Sequence, residues 1–553
     1  MPLQALAPAI IVIAAAAIAV VPAGTFYLTN DDVAMRLLAE GRFATGAGPT
    51  PFLLFMNVIL GALLATLYRV TDVVPWYDLV MVTITLVACV ALVRVWTAPR
   101  TVTAYLAALL LAVFFFMPLF ATPKFSLTGM TATAAGLTLL ARPLTVPLDD
   151  ESRRRHLIAG SLLVILGALV RWEATVNLLC QAVPSVIVTR LPAMRRRGMA
   201  AVWPVARAAA IVTALVGVTI AMHFAAYAVT PGWREFPRFN LARASLTEYA
   251  TNVPLTPALV SAVGARTGWS ANDFTMLQSW FFVDPTLFTL ERLQAAQAVY
   301  AEHATPRSAA LDTVATWVRD LLFTTNAPAM FVLAAVALAR PRPLRHLVTL
   351  ACLIGVLYLV LLVVMLNLKA PPFHVHWPML VLVAGLLPLD DVDSRSRARQ
   401  VAPILVLLGV AIYVLPGTIR DRWREQDQRQ ARTDVLAAEV DQLRRSGATF
   451  AGLHASTMRW ELFWRPFRRP DFGMAYAAFA ASAQTPPIRQ ALARRRAVDF
   501  VQGLCTHDRW VLVADRQVLP TLTTFMAEHH QQRVAFDRVI EGRELAAWRC
   551  RVE

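Results

Sequence analysis

The sequence predicts an all-α polytopic membrane protein of about 11 transmembrane helices with a small C-terminal α/β domain. Three observations carry this prediction: apolar runs of spanning length recur, arginines gather between alternate runs, and the composition changes after about Arg420. With 57% hydrophobic and 16% charged residues over 553 positions, the chain carries too much apolar surface for one water-soluble core. Membrane lipid is therefore an obligatory partner. The net charge of +16 would point to nucleic acid in a soluble protein, but the arginines sit between apolar runs, where they set orientation and meet anionic lipid. Nucleic acid is excluded as a partner on that ground.

The first apolar run, from about Leu6 to Gly24, lacks the basic stretch of a cleavable signal peptide and reads as the first span. Further spans are expected at Trp76 to Val95, Val102 to Phe120, Leu127 to Ala141, Leu157 to Val170 and Ala174 to Val188. The remaining five are Val205 to Ala226, Ala327 to Leu338, Leu347 to Leu368, Val375 to Leu389 and Val401 to Leu415. The segment from Phe52 to Val70 is apolar enough to span, yet Asn57 and Gly61 interrupt it and Gly-Pro-Thr-Pro precedes it. Counting it as a span would invert everything downstream.

Arginine placement decides between the two topologies. If Phe52 to Val70 lies in the outer interface, one set of connections carries sixteen arginines: Arg94, Arg100, Arg142, Arg153 to Arg155, Arg190, Arg195 to Arg197, Arg340, Arg342, Arg345, Arg395, Arg397 and Arg399. The opposite short connections hold six cations, Arg36, Arg42, Arg69, Lys124, Arg171 and Lys369. The interfacial reading follows. It divides the chain into a membrane module, 1–419, and a tail, 420–553, and puts a first loop (25–75), a long loop (230–326) and the tail on the outer side.

In the tail a charged helical stretch precedes short β-like runs at Thr449 to Leu453, Trp510 to Ala514, Arg533 to Val539 and Leu545 to Arg551, with a helix through Leu519 to Glu528. This is the pattern of a small α/β domain, read first as a plain capping domain. Of five cysteines only Cys505 and Cys550 lie in it, so they are the pair available for a disulfide; no metal-binding spacing such as CxxC is present. Walker A, GxGxxG and HExxH sequences are also absent.

Chemistry must then use what faces outward. Asn30-Asp31-Asp32 follows the first span directly, with Asn30 or Asp31 expected to cap a short helix. Cations stand at the outer ends of spans: Lys124, Arg171 in Arg171-Trp172-Glu173, and Lys369 ahead of His374 and His376. Cations beside a carboxylate pair suit a lipid-linked phosphate substrate, the cations holding the departing phosphate while a carboxylate deprotonates an attacking hydroxyl. Snorkelling to headgroups is the competing use of each such cation. In the long loop, Trp269 with Asn272 and Asp273, and Trp280 with Asp284, mix aromatic and polar groups as sugar-binding surfaces do. Arg234 follows the preceding span and stands within reach of a donor phosphate.

A first helix ending in Asn-Asp-Asp, an outer loop before the second span and about eleven spans together resemble the GT-C superfamily of integral membrane glycosyltransferases. Asn30-Asp31-Asp32-Val33-Ala34-Met35, with Gly41, Thr45-Gly46, Asn57, Gly61, Leu67-Tyr68 and Pro75-Trp76-Tyr77, is similar to uncharacterised bacterial members of that superfamily. The resemblance implies that Asp31 or Asp32 supplies the catalytic base and that the donor is a sugar on a polyprenyl phosphate. Lys124, Arg171, Glu173, Lys369, His374, His376, Arg234, Asn272 and Asp273 are the expected substrate contacts. Related enzymes often carry an arginine where this chain has His374 and His376, whose hold on phosphate would vary with pH.

The expected reaction is inverting transfer of the sugar to an extracytoplasmic acceptor, a cell-wall glycan, a lipid-linked glycan or a protein. A divalent metal is optional, because cations alone can stabilise the leaving phosphate. The expected location is the bacterial plasma membrane, with the active site outside. Two other readings compete, a transporter or flippase of lipid-linked sugars and a noncatalytic membrane scaffold. The spans hold few charges in their middles and no inverted repeat is evident, which disfavours transport.

Overall fold

The computed structural model describes residues 3–553 except 22, 45–46, 145, 198, 249–255, 304–314, 322–324, 341, 368–371, 388–400, 455–457, 480–482 and 498, with side chains at 190–201 and 364–367 also outside the description. The chain forms two compact units: Met1–Leu28, Trp76–Ala221 and Leu311–Asp427 make the first, and Thr29–Pro75, Met222–Ala310 and Gln428–Glu553 the second.

The first unit is built from apolar helices, and each expected span coincides with one. They are Leu3–Val20, Trp76–Trp96, Val102–Ala121, Phe125–Ala141, the two arms of Asp150–Arg197, Met199–Val229, Ala327–Leu338, Pro343–Asn367, Phe373–Leu386 and Val401–Arg445. Among the described residues six helices are long and apolar enough to cross a membrane, and the others in this set are shorter. Asp150–Arg197 is interrupted at Arg171, whose backbone is extended (φ −158°, ψ 99°).

Contacts along Phe125–Ala141 show that the chain turns back at this point. Gly160 meets Gly136 and Gly167 meets Gly129, so the first arm runs antiparallel to that helix. Beyond the break, Arg171 Nη1 reaches Ser126 Oγ (3.3 Å) and Thr175 Oγ1 lies 2.9 Å from Thr133 Oγ1, so the second arm runs back alongside it. A Cβ on Gly136 would stand 2.6 Å from the Gly160 carbonyl oxygen, and one on Gly160 would stand 2.8 Å from that of Gly136. Only glycine permits this approach, which is how helices pack where lipid offers no hydrophobic drive.

Indole and amide groups complete the bundle by satisfying carbonyls inside it. Trp96 Nε1 donates to the Ala384 carbonyl (3.2 Å), Trp377 Nε1 to that of Phe115 (3.1 Å) and Gln181 Nε2 to that of Met379 (3.0 Å). Each fixes the rotation of one helix against another, since a buried donor without a partner is costly in hydrocarbon.

The ambiguous segment resolves into a helix, Val58–Val70, in the second unit. Asn57 caps it, its side chain accepting from the Ile59 amide (3.0 Å). Thirteen residues give roughly 20 Å of helix, short of the roughly 30 Å hydrocarbon core.

The tail contributes a five-stranded sheet of β1 (Phe450–His454), β2 (Ala475–Phe479), β3 (Trp510–Val513), β4 (Val534–Glu541) and β5 (Ala546–Val552), in the order β2-β1-β3-β5-β4. β1 pairs in parallel with β2 and β3, while β5 runs antiparallel to β3 and β4. Four of these strands match expectation. The unexpected one is β2, whose Ala-Tyr-Ala-Ala-Phe sequence carries little β-propensity and is stabilised by burial. Its outer edge is covered by an antiparallel bridge from Ala44 of the first loop to Ala477, which leaves less edge exposed to stray pairing. The helix Val401–Arg445 runs without a break through position 420.

Cys505 and Cys550 are disulfide-bonded across 45 residues, joining the helix Phe500–Thr506 to β5. Closing a loop of that length restricts the unfolded chain by about 4 kcal/mol on the chain-entropy account. The double variant Cys505→Ala/Cys550→Ala is expected to lower the denaturation midpoint of the tail by an amount corresponding to about 2–4 kcal/mol, read by tryptophan fluorescence in denaturant.

Candidate functional site

Asp31 and Asp32 lie in the first turn of the helix Asn30–Glu40. The N-cap is Thr29, in extended conformation, which corrects the expectation of Asn30 or Asp31. Its hydroxyl donates to Asp31 Oδ2 (3.3 Å) rather than closing the helix end, because the chain enters as an extended segment and places both carboxylates inside the first turn. A helix N-terminus favours negative charge. Asp31 is half-buried, and Asp32 is 1% exposed.

What holds this helix lies further along it. Arg36 is 1% exposed and its guanidinium is fully used in three directions: Nε donates to Glu40 Oε1 (2.9 Å), Nη1 to the Arg465 carbonyl (2.8 Å) and Nη2 to the Arg468 carbonyl (2.7 Å). Glu40, also buried, is reached by Arg469 Nη2 at 3.2 Å, and the Arg469 guanidinium lies 5.4 Å from the centre of the Tyr68 ring. Helix, first loop and tail are thereby clamped by one ion network.

The carbonyls that Arg36 grips belong to the run Arg465-Pro466-Phe467-Arg468-Arg469, which sequence reasoning passed over. Burial, with the neighbouring Arg468 charge, presses the Arg465 guanidinium below its usual range, and its Nη1 pairs with Gln430. Arg468 is exposed. Two cations thus accompany the helix that carries the acidic pair, and the Pro-spaced arginine run was the signal for them.

In the first unit the structure brings Lys124 and Arg171 together. Lys124 is the N-cap residue of Phe125–Ala141 and is buried, with Nζ 5.8 Å from the Phe125 ring centre. Arg171 sits at the helix break, its guanidinium 4.9 Å from the same ring centre and its Nε 3.9 Å from Glu173. Two cations therefore flank one aromatic ring. The preceding segment is pinned beside them: Phe26 N donates to the Ala121 carbonyl, Leu28 N donates to that of Pro123, and the Tyr27 hydroxyl donates to the buried Asp78.

Lys369 lies outside the described residues. His374 is half-buried in the first turn of Phe373–Leu386 and His376 is buried two residues on, its ring 5.8 Å from that of Phe373. Arg234 is exposed in the turn before Phe236–Thr247, next to Trp233, which stacks on Phe52 at 4.9 Å.

Asn272 and Asp273 are engaged in tying the long loop to the tail. Asn272 Nδ2 donates to the Thr521 carbonyl (3.0 Å), and Asp273 closes a capping box with Ser270 while His529 Nε2 stands 2.8 Å from its Oδ1. Asp273, Glu528 and His529 each offer a ligand atom within 4.8 Å of the others, the one such grouping found among the described residues. Asp273 already accepts from Ser270 and faces His529, so the cluster is satisfied by protein groups; Asp31 and Asp32 are not part of it.

No protein-family profile matches the chain, and no curated protein does. Among solved structures the chain is similar to the crystal structure of ArnT from Cupriavidus metallidurans bound to undecaprenyl phosphate, with 14% identity, coverage of 98% of this chain and 97% of that one, and a TM-score of 0.42. A likeness of that size transfers neither residue roles nor a substrate.

Removing Arg36 leaves Glu40 buried without its main partner, and Arg36→Ala is expected to destabilise the second unit by about 3–5 kcal/mol, measured by denaturant unfolding. His454, at the end of β1, donates from Nε2 to the Ser279 carbonyl (2.9 Å), and burial pulls its pKa down from 6.5 to about 4. The unfolded state then binds a proton that the folded state refuses, so this residue's contribution is complete above about pH 6.5 and fades as pH falls towards 4. Asp499 and Glu461 are shifted upward by burial and act in the opposite sense. The stability difference between wild type and His454→Gln should therefore shrink from pH 7 to pH 4, as followed by thermal unfolding across that range.

Proposed function

We propose that the chain is a membrane glycosyltransferase of GT-C type that moves a sugar from a polyprenyl-phosphate donor to an extracytoplasmic acceptor by inverting displacement. The observation that carries this reading is the acidic pair: two adjacent carboxylates sit in the first turn of a helix that a buried arginine fork holds in place. A base must be fixed within reach of the hydroxyl it deprotonates, and a clamped helix end supplies such rigidity.

In the proposed step Asp31 or Asp32 takes the proton of the acceptor hydroxyl as its oxygen attacks the anomeric carbon. The bond from that carbon to the phosphate oxygen breaks, and the electron pair leaves on the polyprenyl phosphate. Lys124 and Arg171 offset the charge that develops there, with Lys369, His374, His376 and Arg234 as further contacts to donor or sugar. Glu173 positions Arg171, and Asn272 and Asp273 tie the long loop to the tail, where that loop is proposed to contact the sugar. The Cys505–Cys550 disulfide supports an extracytoplasmic, oxidising location for the tail. The cell-wall glycan, lipid-linked glycan and protein acceptors all fit this chemistry.

The test is release of polyprenyl phosphate from a panel of polyprenyl-phosphate sugars in membranes that supply acceptor glycans. Asp31→Asn and Asp32→Asn are compared with wild type. One of the two should lose turnover by about 10²–10⁴-fold while donor binding is retained, and Lys124→Ala and Arg171→Ala should weaken donor binding. Equal turnover in wild type and both aspartate variants would rule out the mechanism.

A further inference from the structure

The carboxyl end of β3, a parallel neighbour of β1, opens into a recess that the machinery described above does not use. Such ends are where α/β sheets take ligands, because backbone groups and loop side chains converge there. The recess, about 190 Å³, is lined by Asp515 and Arg516 after β3, by Glu541 at the end of β4 and by Arg543 of the β4–β5 turn. It shares Arg516 and Glu541 with an adjoining hollow of about 490 Å³, walled by Phe536, Trp548, Leu519 and Thr523. The two hollows adjoin at Arg516 and Glu541 as one groove, in which Arg538 also lines the second hollow and holds Glu541 Oε2 at 3.1 Å.

The rim of this groove is preformed. Glu439 accepts from the backbone amides of Arg543 (2.6 Å) and Glu544 (3.0 Å), and Arg432 donates through Nε and Nη2 to the two oxygens of Glu544 (2.7 and 2.6 Å). A Cβ on Gly542 would stand 2.3 Å from the Glu439 carboxylate, so glycine is required for that grip. Trp548 is held by its Nε1, which donates to the Ala514 carbonyl (2.9 Å). The Arg516 guanidinium, by contrast, is exposed and makes no hydrogen bond or ion pair with any described residue.

The lining sets donors, Arg516 and Arg543, and carboxylates that each keep an oxygen beyond one engaged contact, Asp515 (Oδ1 with Gln517 N) and Glu541 (Oε2 with Arg538), against an apolar wall of Phe536, Leu519 and Trp548. A saccharide needs that mixture, because paired hydroxyls match guanidinium and carboxylate forks while the C–H face of the ring lies on an aromatic wall. We infer that this groove is a saccharide subsite of the tail, binding a sugar unit of the acceptor at a place separate from the acidic pair. The inference deepens the transferase reading, yet binding at the groove can be measured without turnover.

The experiment is saturation-transfer difference NMR on the full chain in nanodiscs, with methyl glycosides of glucose, galactose, mannose, arabinose, rhamnose and N-acetylglucosamine as probes. At least one glycoside should give a signal, which should weaken by about tenfold or more in Arg516→Ala/Glu541→Gln through loss of charged hydrogen bonds. Thr523→Trp, which fills the groove from its helical side, should remove the signal without touching those two residues. Asp31→Asn should leave it unchanged. No signal from any of the six in wild type, or a signal that survives both groove variants, would overturn the assignment. Glycoside binding that persists when wild type releases no polyprenyl phosphate would instead sink the transferase reading and leave the subsite standing.

Discussion

The second unit depends on one buried guanidinium. Arg36 comes from a helix of the first loop, and two of its three donors end on carbonyls more than four hundred positions later in the chain. Burying such a cation is tolerable only when every donor is matched and a carboxylate sits beside it, which Glu40 provides one turn on. The geometry of a fork allows a single orientation of helix against tail, so the network specifies an arrangement more than it adds stability. The acidic pair inherits its position from this contact.

Much of the fold was legible in the sequence because hydropathy is a local property. Each expected span coincides with a helix, and the Arg171 break falls between two apolar runs. The segment set apart by its Asn57 and Gly61 became the helix Val58–Val70, which Asn57 caps. Strands with alternating or β-branched sequence were found in place. β2 was not, since an alanine-rich run becomes a strand only through neighbours that sequence does not display.

The site was legible in part. Asp31 and Asp32 announced themselves by standing at a span's end, and Lys124 and Arg171 proved to share a ring, Phe125, that their spacing of 47 positions could not reveal. Thr29 took the capping position because the chain arrives extended, a matter of backbone direction rather than residue type. Arg465 and Arg468 left a signal in their Pro-spaced run, but their meeting with Arg36 was invisible, because it is a tertiary contact across more than four hundred positions. Asp273, expected as a sugar contact, has partners within the protein in Ser270 and His529.

The interruption at Arg171 also bears on how the protein enters its membrane. Two apolar arms joined through one extended residue leave no polar segment long enough to wait in water while the first arm settles. Each arm buries its face along Phe125–Ala141, with glycine-to-glycine contact on one side and paired threonines on the other. The two arms therefore form one hairpin, with Arg171 at its tip. The residue expected to grip a phosphate is thus also the turning point of that hairpin, and Glu173 stands beside it there.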